Sequence, residues 1–146
     1  MKFFVFILFI SAISCGTLDP FNQSQKELDV KIKTFNFEFE SKAFDRSARF
    51  VHPDYRGDFL KKTLEVSKKT SFLEASTLDL KFLLNDKSVS ISPDGPTEEF
   101  NKAELTIRYQ LSILPSTKLK TIVVKQEWIK LNNTWFVIPD IDSFLN

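Results

Sequence analysis

The sequence predicts an α+β domain in which N-terminal helices pack on one face of an antiparallel sheet. Up to about residue 70, apolar side chains recur at helical spacing, and beyond it they alternate with polar ones as in a strand. Two pairs, Asn85-Asp86 and Asn132-Asn133, separate alternating runs and are typical of tight turns. Helices followed by a run of strands indicate an α+β domain, because the sheet must bury its apolar face against the helices.

The first helix is predicted from a segment in which two periods compete. Residues 35–40, FNFEFE, alternate as a strand would, and an extra N-terminal strand is the alternative. A helix is favoured because the segment from Ser41 to Val51 continues at helical spacing without a turn signal. The apolar positions at helical spacing are Ile32, Phe35, Phe39, Ala43, Phe44, Ala48 and Val51.

A second helix is expected after Pro53. A proline pushes the preceding residue out of the helical region, so His52 should lie at or just beyond a helix end. After a turn in the sequence PDYRG, Asp58 can cap the second helix. Its apolar side repeats at steps of three and four residues: Phe59, Leu60, Thr63, Leu64 and Ser67.

Long amphipathic strands are predicted in the second half of the chain, each with one inward-facing apolar side. The first alternates at Leu78, Leu80, Phe82 and Leu84, and the alternation resumes after the Asn85-Asp86 turn at Val89 and Ile91. After a loop, SPDGPTEEFNK, the inward positions of the next two strands are Leu105, Ile107, Tyr109, Leu111 and Ile113, then Ile122, Val124, Gln126 and Trp128. The last strand, TWFVIP, follows Asn132-Asn133.

Residues 1–14 are predicted to be a secretory signal peptide. They combine one positive charge, at Lys2, with an apolar run and small residues at its end. The run is shorter than the roughly 20 apolar residues of a membrane-spanning helix. An ordinary signal could be cleaved after Ser14.

The tetrapeptide Ala12-Ile13-Ser14-Cys15 resembles a lipobox, the signal of bacterial lipoproteins, although Ala12 stands where leucine is commonest. The resemblance implies that Cys15 becomes a diacylglyceryl cysteine carrying a further acyl chain such as palmitate, which anchors the protein to a membrane. The alternative is a free cysteine near the cleavage site. Gly16 replaces the aspartate of inner-membrane retention, so the resemblance favours the cell outer membrane. Residues 15–27 are then expected to form a lipidated polar tether without regular structure.

The composition excludes several classes of function. The chain has 20 basic and 19 acidic side chains, so it lacks the positive excess expected of a nucleic-acid-binding protein. No glycine-rich phosphate loop and no Gly-x-Ser-x-Gly elbow occurs. A single histidine and a single cysteine provide no zinc-binding motif. We therefore expect no cofactor and no metal site.

Residues 28–146 resemble the NTF2-like, or cystatin-like, α+β superfamily. The likeness rests on the order of elements, on ARFVHPDY at the end of the first helical part, and on the terminal hairpin QEWIKLNNTWFVI. It implies a curved antiparallel sheet that wraps a helix into an open cone, whose mouth often holds a pocket. Some members are isomerases, dehydratases or hydrolase-like enzymes, and many are noncatalytic binding modules.

Four residues are candidates to line such a pocket: His52, Tyr55, Tyr109 and Gln126. His52 could act as a general base, or its ring could satisfy free carbonyls at a helix end. Tyr109 and Gln126 are polar groups on inward faces, which core packing or an edge position would explain as well as a ligand would. No residue is assigned as catalytic, because the inferred inward faces of the long strands carry no carboxylate.

Three functional hypotheses follow from these observations. The first is a lipid-anchored, noncatalytic envelope protein that binds a small apolar ligand or a protein partner through the concave face of its sheet. The second is a small enzyme using His52 with Tyr55 or Tyr109, which requires these side chains to converge around a cavity. The third is a homodimer formed through the open face of the sheet.

Overall fold

The elements are described from a computed structural model, which covers residues 20–145; the predicted signal peptide and Cys15 lie outside these residues. The helices are α1 (Pro20–Glu40), α2 (Phe44–Ser47) and α3 (Pro53–Lys69), with 3₁₀ turns at Ala48–Phe50 and Asp142–Phe144. The strands are β1 (Thr70–Leu84), β2 (Lys87–Ser88), β3 (Ile91–Ser92), β4 (Gly95–Pro96), β5 (Lys102–Ile113), β6 (Lys120–Leu131) and β7 (Thr134–Pro139).

Five strands form one antiparallel sheet in the order β2-β1-β5-β6-β7, and the predicted α+β class is confirmed. Both predicted asparagine turns occur. Asn85 and Asp86 connect β1 to β2, Asn132 and Asn133 connect β6 to β7, and all four have positive φ. Short polar side chains tolerate this conformation, which the two-residue turns of twisted hairpins require. The predicted loop after β2 contains the small β3–β4 hairpin.

The segment FNFEFE is helical, as predicted. Ile32, Phe35 and Phe39 are buried on the side of α1 that packs into the core, and Leu28 extends this side toward the N-terminus. Phe37 points to solvent with 69% of its surface exposed. The strand-like alternation therefore arises from one exposed phenylalanine between two buried ones.

Helix α1 begins earlier than the sequence indicated. Residues 20–27, which were expected to belong to an irregular tether, form its first two turns. Pro20 is compatible with this position because the first residue of a helix needs no N–H partner and has the φ of proline. The fully buried Leu28 then joins these turns to the core.

The predicted helix does not run unbroken to Val51: it is interrupted after Glu40, and helical turns resume in α2 and in the 3₁₀ turn Ala48–Phe50. Helix α1 ends at Glu40, and Lys42 adopts a φ of 58°. The N–H of Ala43 donates to the carbonyl of Glu38 (2.8 Å) and that of Lys42 to Phe39 (2.9 Å), which is the Schellman arrangement that ends helices. The sequence carries no glycine or asparagine at this position, so the usual signal is missing.

Helix α3 also starts earlier than predicted. Its N-cap is His52 rather than Asp58, and Pro53 is its first residue. The buried positions are Phe59, Thr63 and Val66, whereas Leu64, expected on the apolar side, is 65% exposed. Extending the helix back to Pro53 makes PDYRG its first turn and a half rather than a loop.

The core lies between one face of the sheet and the helices. The predicted alternation is confirmed in β5 and β6, whose buried residues are Ala103, Leu105, Ile107, Tyr109, Leu111, Val124, Gln126 and Trp128. In β1 it fails at Leu78, which is 51% exposed, because the register shifts between Thr77 and Asp79. Such a bulge inserts one residue and interrupts the alternation. Ile91, expected to continue the strand after Val89, lies exposed in the small hairpin.

The structure also bears on membrane insertion. Within residues 20–145, no helix is both long enough and apolar enough to cross a membrane.

Candidate functional site

The main polar cluster on the buried face of the sheet is centred on Asn36 of α1. The side-chain oxygen of Asn36 accepts hydrogen bonds from the Tyr109 hydroxyl (3.3 Å) and from the Gln126 amide nitrogen (2.6 Å). The Gln126 oxygen in turn accepts from the indole N–H of Trp128 (3.3 Å). We call these four residues the Asn36 cluster. The Tyr109 hydroxyl, both polar atoms of the Gln126 amide and the Trp128 indole N–H therefore each have a hydrogen-bond partner within the cluster.

The electrostatic environment holds Tyr109 in its neutral form. Tyr109 is completely buried. This burial, together with the negative charge of Glu40, raises the pKa of the Tyr109 hydroxyl far above the ordinary value of 10.0. Burial also raises the pKa of the Glu40 carboxyl. A tyrosine with a raised pKa is a poor source of the phenolate that base catalysis would need.

Aromatic side chains fill the space beside the Asn36 cluster. The Phe39 ring lies 5.1 to 6.2 Å, centre to centre, from the rings of Phe35, Phe44, Phe59, Phe72 and Phe144. The void that remains next to Gln126 has a volume of about 10 Å³. That is about the space of one water molecule, so this void cannot hold a small apolar ligand.

Two of the predicted pocket residues, Tyr109 and Gln126, belong to the Asn36 cluster. Both are on the buried face, as the alternation predicted, and both are close to the same partner. The sequence analysis missed that partner. Asn36 lies four residues after the buried Ile32, so helical spacing from Ile32 could have placed it on the inner side of α1.

His52 and Tyr55 lie at the start of α3. The His52 Nδ1 accepts a hydrogen bond from the backbone N–H of Asp54 (3.3 Å), and the His52 backbone N–H donates to Val137 of β7 (3.0 Å). Its ring contacts Tyr55 (5.7 Å) and Phe136 (6.2 Å). The His52 ring therefore caps the beginning of α3 by accepting a hydrogen bond from a free backbone N–H, rather than by donating to the carbonyls of a helix end.

The four candidate residues form two separate pairs. In the part of the chain that the structure describes, no hydrogen bond or ring contact joins His52 or Tyr55 to Tyr109 or Gln126. The convergence that the enzyme hypothesis required is not observed. Tyr55 is 48% exposed, and Tyr109 is completely buried.

The larger clefts lie elsewhere on the surface. One of about 390 Å³ lies beside the Asn85-Asp86 turn and includes Lys102 and Glu127. The Lys102 amine contacts Asp86 (3.2 Å) and Glu127 (3.3 Å). Partial burial alone would lower the pKa of Lys102, but the hydrogen bonds to the two carboxylates raise it overall. The sequence analysis did not identify this polar cleft, because its members come from three separate segments.

A second cleft, of about 270 Å³, lies where β7 ends. Glu104, Lys125, Glu127 and Asp140 contribute its charged side chains. Within residues 20–145, no group of three or more histidine, cysteine, aspartate or glutamate side chains is placed to hold a metal ion. In the first cleft, Lys102 forms surface ion pairs with Asp86 and Glu127, and pairs of this kind contribute little to stability.

Replacement of Tyr109 by phenylalanine is expected to change how stability depends on pH. Above about pH 10, unfolded chains lose the tyrosine proton, whereas the folded protein keeps it because its pKa is raised. The free energy of unfolding of the wild type should therefore fall as the pH rises above about 10, and Tyr109→Phe should lose less. Urea unfolding from about pH 8 to 11 measures this, with Tyr55→Phe, which removes an exposed hydroxyl, as the matched control. An equal fall in the free energy of unfolding for the wild type and Tyr109→Phe would contradict the raised pKa of Tyr109.

Comparison with known proteins adds no functional assignment. No family model, no curated protein and no solved structure matches this chain.

Proposed function

We propose that this protein is a lipid-anchored, noncatalytic lipoprotein of the bacterial envelope, with an NTF2-like domain that acts by binding a protein partner. The observation that carries the noncatalytic assignment is the Asn36 cluster, in which the Tyr109 hydroxyl, the Gln126 amide and the Trp128 indole N–H are bonded within the cluster, beside a filled aromatic interior. A protein partner is favoured over a small apolar ligand because the interior void beside Gln126 is only about 10 Å³. The 270 Å³ cleft that Gln126 also borders carries the charged side chains of Glu104, Lys125, Glu127 and Asp140, which do not suit an apolar ligand. The partner would therefore bind an outer surface of the domain.

The domain's position relative to the membrane follows from the short distance between the proposed anchor and α1. Pro20, the first residue of α1, follows Cys15 by five residues. Five residues span at most about 18 Å when fully extended, at ~3.3–3.6 Å per residue. Acylation of Cys15 would thus hold the N-terminal end of α1 close to the bilayer, and three acyl chains are enough for stable anchoring.

The chemistry of the inward faces supports the noncatalytic proposal. The buried residues of β5 and β6 include Tyr109 and Gln126 but no carboxylate, while Glu104 and Glu127 lie among the outward positions. His52 is used as the N-cap of α3. These strands therefore direct no carboxylate or histidine inward that could act as a general acid or base.

The anchor is tested by the intact mass of protein extracted from membranes. The wild type is expected to match residues 15–146 with a diacylglyceryl group and an amide-linked acyl chain. Cys15→Ala should lose both the added mass and membrane association, because only the thiol can accept the diacylglyceryl group. Thr17→Ala, outside the lipobox, is the matched control and should behave as the wild type. An unacylated, soluble wild-type protein would show that the anchor proposal is wrong.

The preference for a protein partner is tested separately. Native mass spectrometry of the full chain carrying Cys15→Ala is expected to detect no retained small apolar molecule, since the described interior has no space for one. A stoichiometric adduct of lipid size would favour the ligand hypothesis instead. Displacement of Phe144, which packs on Tyr109 at 5.1 Å, would then be needed to make room.

A further inference from the structure

Most of one side of strand β1 has no neighbouring strand among the described residues. Strand β1 pairs with β5 along nearly its whole length, but on its other side it pairs with β2 only at Leu83 and Leu84. Among the described residues, no strand covers the edge from Glu74 to Lys81. The opposite edge is different, because Val51 bridges to Val137 of β7 and His52 donates to the same residue. An open edge presents unpaired backbone groups that can bind another strand.

The open part of β1 lacks two of the usual protections against pairing. Edge strands that avoid association often carry proline or an inward-pointing charge. Between Glu74 and Lys81 there is no proline, and the inward-facing residues are Ala75, Thr77 and Leu80. Leu78 lies within this segment and is 51% exposed. Leu73, which directly precedes Glu74, is 59% exposed. These leucines are apolar surface that a partner strand would cover.

The charged side chains on the outward side of this edge are complementary to those of a second copy of the same edge. Two copies of β1 can be aligned antiparallel about a two-fold axis between Thr77 and Leu78. Glu74 of each copy then lies opposite Lys81 of the other, and Ser76 lies opposite Asp79. Glu74 forms no ion pair among the described residues, and Lys81 reaches only Asp79 at 3.5 Å. Both side chains are exposed and therefore available.

Strand β1 has two bulges, of which the first, between Phe72 and Glu74, precedes the residues paired here, and the second, at Leu78, is compatible with this alignment. The extra residue of the second bulge, Leu78, falls at the two-fold axis. On either side of the axis, residues 74–77 and 79–81 keep the regular alternation of outward and inward positions. Outward residues therefore meet outward ones, as an antiparallel pair requires. Each charge pair occurs twice because a two-fold interface is made of the same surface on both copies.

We infer that this protein forms a homodimer by antiparallel pairing of its β1 edges, which joins the two sheets into one continuous sheet. The partner is a second copy of this chain, recognised by main-chain hydrogen bonds and two Glu74–Lys81 ion pairs. This interface goes beyond the proposed function and does not depend on the lipid anchor.

Charge reversal tests the register. The full chain in detergent is expected to sediment as a dimer, and Glu74→Lys or Lys81→Glu should each raise the dissociation constant about tenfold or more, because like charges lying opposite are destabilising. The double variant Glu74→Lys/Lys81→Glu should restore the dimer by exchanging the partners. Glu98→Lys makes the same change of charge on an exposed loop and should leave the dimer intact. A monomeric wild type, or single variants that dimerise as well as the wild type, would overturn the inference.

A disulfide tests the contact directly. In the full chain carrying Cys15→Ala, the pair Ser76→Cys/Asp79→Cys is expected to form a covalent dimer on mild oxidation, because directly opposite residues bring their Cβ atoms within about 5.5 Å. The control pair Ser76→Cys/Glu98→Cys, in which the second cysteine lies on an exposed loop, should form little covalent dimer. A monomer, or a link to a different protein, would overturn the inference. Because this chain cannot be acylated at residue 15, dimerisation here is independent of whether the anchor proposal holds.

Discussion

Replacement of Phe39 by alanine is expected to lower the free energy of unfolding by about 3–5 kcal/mol, the cost of truncating a buried aromatic side chain. Phe39 is 2% exposed and its ring contacts five other phenylalanine rings. Three of these lie on helices, Phe72 lies on β1, and Phe144 lies in the C-terminal turn. A cavity here would therefore loosen the packing between the helices and the sheet. Chemical denaturation measures the change.

Phe37→Ala is the matched control for this prediction. It removes the same side chain two residues away in the same helix, where the ring is 69% exposed. The expected change is within about 0.5 kcal/mol, as for most surface substitutions. Similar losses at the two positions would contradict the assigned orientation of α1. A larger loss at Phe37 would favour a different packing of FNFEFE.

Asn36→Ala is expected to lower the free energy of unfolding by about 2–3 kcal/mol. The substitution removes the oxygen that accepts from Tyr109 and Gln126, and a buried polar group left without a partner costs about 1–3 kcal/mol. The higher helix propensity of alanine returns less than about 0.7 kcal/mol. Loss of the two hydrogen bonds should therefore dominate, and urea unfolding at neutral pH measures the difference.

Two comparisons make this result specific to the Asn36 cluster. Tyr109→Phe removes a single hydrogen bond and leaves Gln126 bonded to Asn36, so a smaller loss of about 1 kcal/mol is expected. Gln23→Ala removes an exposed amide from the same helix and should have little effect. A stable Asn36→Ala protein would mean that water satisfies Tyr109 and Gln126 in its place.

The strands were easier to predict than the ends of the helices. In β5 polar and apolar residues alternate without interruption, and in β6 the buried positions Val124, Gln126 and Trp128 recur at every second residue, so the sequence shows the buried face directly. The end of α1 depends on a positive φ at Lys42 and on hydrogen bonds from Lys42 and Ala43. A lysine is not a typical residue for that conformation, so the break could not be read from the sequence. The bulge at Leu78 likewise has no marker such as glycine.

The candidate site was predicted residue by residue but not as a group. Alternation placed Tyr109 and Gln126 on the inner face, and the proline rule placed His52 at a helix end. The orientation of α1 across the sheet determines which polar atoms come within hydrogen-bond distance of each other. That orientation brings Asn36 to Tyr109 and Gln126, and it leaves His52 at the start of α3 beside Phe136.

The sequence by itself determined the α+β class, the inward faces of the long strands and the two asparagine turns, because each depends on local periodicity or on the conformational preference of a few adjacent residues. The tertiary structure decided which polar side chains are paired, that the interior beside Gln126 is filled, and that most of the β1 edge is open while the β7 edge is bridged at Val137. These outcomes depend on contacts between residues far apart in the chain, such as Asn36 and Gln126, whose encounter is set by the packing of whole elements rather than by any local pattern.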